Sequence, residues 1–107
     1  MTNFSVPYTK LITIAIEQAA ANNAIIVVPN FYDDYAIQSI KEKANGLGLT
    51  YSDGYCIEVY RLDDYKSLPV TWQRNSVVVM YPSHVLESEM QPYLRDGGEV
   101  ITVEPNN

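Results

Sequence analysis

Eight residues carry the side chains with which this chain could act chemically at one place: Asn30, Tyr32, Asp33 and Asp34, then Asp63 and Asp64, then Ser83 and His84. Each group stands just after a segment that reads as a β-strand, so parallel strands would bring all three groups to one rim of a sheet. Four converging carboxylates offer oxygen ligands suited to Mg²⁺, and His84 beside a carboxylate suits general-base work. The same residues also have plain structural uses. Asp33 and Asp34 fit the first turn of a helix, Asp63 and Asp64 a solvated turn, and Ser83 an N-cap. His84, the single histidine, falls in the first turn after a strand, where the helix dipole keeps an imidazole neutral. These uses outweigh catalysis, so no catalytic set is assigned, no metal or cofactor is expected, and the eight residues are taken as a binding face.

The elements that must position them are read from periodicity. Tyr8, Leu11, Ile12, Ala15, Ile16, Ala19 and Ala20 share one helical face over residues 7–21, with Ser5 as the expected cap and Asn22-Asn23 as the stop. Residues 24–28 form a continuous apolar run ended by Pro29, the pattern of a strand buried on both faces. A second helix is expected to start from Asn30 as N-cap, bury Ala36, Ile37, Ile40, Ala44 and Leu47, and stop at Asn45-Gly46. Residues 50–62 read as β, with Ser52-Asp53-Gly54 either turning a hairpin or opening one strand over residues 55–61. Residues 62–75 read as a loop with a helical turn near 63–67, anchored to the core by Trp72.

Residues 76–81 form a second apolar strand, followed by a helix carrying Leu86, Met90, Tyr93 and Leu94 that Pro92 must kink or restart. A last strand is expected over residues 100–103, with a disordered polar tail from about Glu104. The order predicts one α/β domain over residues 1–107: three layers around a mostly parallel sheet of about four strands, open to one antiparallel strand from residues 50–61.

Phosphate-binding patterns are missing. The strand over residues 24–28 leads into Pro29-Asn30-Phe31-Tyr32, where close backbone approach to a phosphate needs glycine. Gly46-Leu47-Gly48 comes after a helix and reads as a stop. The run Tyr93-Leu94-Arg95-Asp96-Gly97-Gly98-Glu99-Val100 resembles the helix-to-strand corner of class I methyltransferases. The glycine-rich donor loop of those enzymes is absent, so no activity is carried over.

Seven Lys and Arg against thirteen Asp and Glu give a net charge of −6, with the cations scattered along the chain. That balance argues against nucleic acid and anionic membranes and favours a basic partner. One cysteine, Cys56, makes no internal disulfide and reads as a small core residue, and with no export signal or membrane span the expected compartment is the cytoplasm. Nine tyrosines are too many for the interior of so small a domain, and tyrosine is enriched at protein interfaces. The leading expectation is a protein-binding or inhibitory module that presents a face of tyrosines and carboxylates to a basic partner or assembles with itself. The alternative is a small metal-dependent or nucleotide-handling enzyme at the carboxyl ends of the strands.

Overall fold

The computed structural model describes residues 2–82, 87–95 and 97–106. Five strands form one sheet: β1 (Thr2–Val6), β2 (Ala24–Val28), β3 (Val59–Arg61), β4 (Ser76–Met80) and β5 (Val100–Pro105). Their spatial order is β1-β5-β4-β2-β3 and every neighbouring pair is parallel. The helices are α1 (Leu11–Asn22), α2 (Asp34–Gly46), α3 (Leu62–Lys66) and α4 (Glu87–Met90). The α/β class stands, with five strands in place of about four and no antiparallel strand in the sheet.

The two apolar runs lie side by side, Ile25 against Val77 and Val27 against Val79. Alternation along them then sorts the core. Ile26, Val28, Val78, Met80, Ile101 and Val103 face α1 and α2, whose Ala15, Ile16, Ile37 and Ile40 complete one apolar layer. Ile25, Val27, Val77, Val79 and Val100 face Leu62 and Tyr65 of α3 and Met90 of α4 in the other. Right-handed crossovers require this division, because the chain steps one way across the sheet through α1 and α2 and the opposite way through α3 and α4. Each fully buried Ile or Val contributes about 1.5–3 kcal/mol to holding the layers together. No helix among the described residues is long and apolar enough to cross a membrane.

Several local expectations are corrected. Ser5 caps no helix: it lies in β1, an edge strand whose Thr2, Phe4 and Val6 are half-buried while Asn3 and Ser5 are exposed. The entrance to α1 is instead a 3₁₀ turn, Tyr8–Lys10, begun at Pro7. Asn23 ends α1 as expected, in the left-handed region (φ 51°) that asparagine tolerates, with its N–H donating to Ala19. Asp33, not Asn30, caps α2, its Oδ1 accepting the Ala36 N–H at 2.8 Å. Leu47 lies past the end of α2 and is largely exposed.

Between α2 and β3 both readings of the sequence are partly realised. Residues 51–54 make a tight turn with Gly54 at φ 87°, closed by one antiparallel bridge between Thr50 and Cys56, and only Val59–Arg61 joins the sheet. Cys56 and Trp72 are exposed rather than buried. Pro92 does interrupt its helix, which gives way at Met90 to a 3₁₀ turn over Gln91–Tyr93. No loose tail begins at Glu104: β5 runs to Pro105, and the Asn106 N–H donates to the Val6 carbonyl.

Candidate functional site

At the carboxyl ends of the strands, β2 leads through α2 to β3 on one side while β4 leads away to β5 on the other. The opposite departures make the space between residues 29–33 and Tyr81-Pro82 the switch point of the strand order, the usual ligand position in open parallel sheets. The expected binding residues gather here in pairs. Asn30 Oδ1 accepts the Asp63 N–H at 2.9 Å, which joins the β2 loop to the start of α3. Arg61 joins Asp34 (3.0 Å) to Asp64 (3.2 Å) and also donates to the Tyr32 carbonyl. Asp33 is committed to its cap. Among the described residues no group of three His, Cys, Asp or Glu side chains stands where it could hold a metal ion. Ser83 and His84 lie outside the described residues.

What the loop presents outward is aromatic. Phe31 packs its ring 5.5 Å from that of Tyr32, which in turn lies 6.4 Å from Tyr81. Tyr81 leaves β4 with φ 57°, a strained value for a residue with a Cβ, and so turns its ring toward Tyr32. Burial, and next the neighbouring Tyr81 phenol, hold the Tyr32 phenol far above its ordinary range. Tyr32 and Tyr81 are half-buried, whereas Phe31 is 72% exposed and Tyr35, in the first turn of α2, is 82% exposed.

A second site, absent from the sequence reading, lies at the amino ends of the strands. A groove of about 700 Å³ is lined by residues that include Asp53, Tyr55, Trp72, Gln73, Arg74 and Arg95. Its floor is organised by Arg74, whose guanidinium stacks 3.5 Å over the Tyr51 ring and donates to Asn23 Oδ1, Glu58 Oε2 and Asp53 Oδ2. Tyr51 is itself pinned, its hydroxyl donating to the Ala24 carbonyl at 2.7 Å and accepting the Glu58 N–H at 3.0 Å. Burial raises the Tyr51 phenol well above its ordinary range. The Tyr55 N–H, and then Arg74, hold the Asp53 carboxyl below the usual carboxylate range. The one signal of this groove in the sequence is Trp72, set beside Arg74 in a stretch without periodicity.

Fold and sites together define an all-parallel five-stranded α/β protein with an aromatic, acidic rim at one end of its sheet and a groove at the other. No protein-family model, curated protein or solved structure matches the chain.

Proposed function

We propose that this chain is a protein-binding or inhibitory module whose carboxyl-edge face docks against a basic partner. The observation that carries the reading is the exposure of Phe31 and Tyr35 on either side of Asp33 and Asp34, the Asp34 side chain itself being 93% exposed. Exposed aromatics supply contact area with little loss of side-chain entropy, which is the composition of an interface centre. The adjacent carboxylates and the net charge of −6 attract a basic surface and speed encounter. The alternative of a small metal-dependent or nucleotide-handling enzyme at the same edge draws less support, because Arg61 and the α2 cap engage three of its four carboxylates.

The test is affinity capture from the native host with the unaltered chain, Phe31→Ala, Tyr35→Ala and, as a control at the far end of the sheet, Trp72→Ala. A basic protein should be captured by the unaltered chain and by Trp72→Ala, be lost by the other two variants, and be released by raised salt. Retention by Phe31→Ala and Tyr35→Ala alike would reject the face. A molecular mass that rises with concentration, and falls again in those two variants, would identify a second copy as the occupant.

A further inference from the structure

We propose that the groove at the amino ends of the strands binds a small molecule that joins a flat ring to a single carboxylate. Its volume of about 700 Å³ falls within the range of small-molecule sites. Two of its residues, Tyr55 and Trp72, leave large planar side chains 69% and 60% exposed, offering faces on which a ring can stack.

The hydrogen-bonding inventory of the groove is one-sided. Both carboxylates that line it have their oxygens engaged. Asp53 accepts from the Tyr55 N–H and from Arg74 Nη1, and Glu58 accepts from the Tyr60 hydroxyl and from Arg74 Nε. The donors are less well met. Among the described residues Arg95 reaches only the carbonyls of Val70 and Thr71, each at a long 3.4 Å, through Nη2. Arg74 uses Nε and Nη1 and leaves Nη2 without a hydrogen bond among the described residues. Gln73, only 7% exposed, adds a side-chain amide to the lining of the groove. That amide can offer an occupant its donors and its acceptor.

Surplus donors select an acceptor-rich, anionic ligand, and the charges set its size. Asp53 and Glu58 balance Arg74 and Arg95, so one bound carboxylate leaves the groove with a single excess negative charge where a doubly charged phosphate would leave two. The planar fork of Arg95 matches a carboxylate in bidentate geometry.

Trp72 is the only tryptophan, so its indole N–H gives one resonance that reports directly on the groove. Titration with 2-naphthoate should shift that resonance saturably. The neutral 2-naphthamide, and 2-naphthoate on Arg95→Gln, should each bind at least about tenfold more weakly, the loss expected for one charge-assisted contact. Gln73→Leu should weaken binding while keeping the folded spectrum, and Tyr35→Ala at the opposite edge should titrate like the unaltered chain. An unmoved indole resonance would overturn the site. Equal binding of the amide, or tighter binding of adenosine 5′-monophosphate, would overturn the ligand class.

Discussion

The Arg74 guanidinium lies 3.5 Å above the centre of the Tyr51 ring, with its edge bonded to Asn23, Glu58 and Asp53. These partners come from the end of α1, from the residue before β3 and from the turn at 51–54, so one side chain fastens three connections to the amino end of the sheet. Arg74→Lys keeps the charge but loses the stack and the planar fork, and should cost about 1–2 kcal/mol. Tyr51→Phe strips a partner from the Ala24 carbonyl and from the Glu58 N–H, and should cost a similar amount, about 1–3 kcal/mol. Midpoints of denaturant unfolding measure both. Unchanged midpoints would mean that the turn region is held by its apolar contacts alone.

Tyr65 is fully buried against Tyr93, and its hydroxyl has no hydrogen-bond partner among the described residues. Removing an unsatisfied buried hydroxyl without changing the ring relieves a cost of about 1 kcal/mol or more. Tyr65→Phe should therefore raise the melting temperature at pH 7 by about 4–8 °C. Burial, and then the neighbouring Tyr93, push the Tyr65 phenol up to about 12, against about 10 in an unfolded chain. Its neutral form is thus the one the fold stabilises: that contribution is complete below pH about 10 and is lost as pH climbs toward about 12. A series of thermal melts from pH 7 to 12 should show the unaltered chain losing stability across that window more steeply than Tyr65→Phe. Parallel curves would refute the assignment.

The carboxyl rim was legible because its determinants are short-range. Continuous apolar runs over Ala24–Val28 and Ser76–Met80 mark doubly covered parallel strands, and strands that run the same way deliver their next residues to one end of the sheet. Edge strand β1 was hidden, since Thr2 to Val6 alternate weakly and Ser5 imitates a helix cap. The β3 region was ambiguous for a related reason. Only three residues pair there, and the preceding turn has a hairpin's chemistry without a second sheet strand. The groove was illegible in principle. It is assembled by contacts between residues 16 to 52 positions apart, such as Arg74 with Glu58 and Asn23 with Asn75, and no local pattern encodes such a meeting. Trp72 and Cys56 were misplaced by their average burial, which tertiary position overrode.

Two glycines that look equivalent in sequence should respond in opposite directions. A Cβ on Gly98 would come 1.7 Å from the Asn75 carbonyl oxygen, a clash with backbone that no rotamer change relieves. Gly98→Ala must push the strand β5 entrance away from β4, at a cost of at least about 2 kcal/mol. Gly46, the last residue of α2, has no heavy atom within 4 Å of such a Cβ and an ordinary φ. Gly46→Ala should stabilise the chain by about 0.5–1 kcal/mol by raising helix propensity and restricting the unfolded state. Thermal melts of the two variants decide this, and a stable Gly98→Ala protein would show that the close approach at Asn75 is dispensable.

Asp33 and Asp34 are neighbours with separable duties, which makes them a sharp probe of the docking face. Asp33 Oδ1 accepts the Ala36 N–H and holds the first turn of α2, so Asp33→Ala should cost about 1 kcal/mol of stability. Asp34 meets Arg61 at 3.0 Å with a side chain 93% exposed, and a pair so open to water contributes little. Asp34→Asn should leave the melting temperature within about 1–2 °C of the unaltered chain, because surface substitutions of this kind seldom exceed about 0.5 kcal/mol. Its effect should appear in binding: slower association with a basic partner and a shallower dependence of that rate on salt, since a rim charge acts mainly on encounter. If Asp34→Asn associates at the unaltered rate at low ionic strength, the carboxylates beside Phe31 and Tyr35 do not steer the partner, and only the aromatic contact of the proposed face survives.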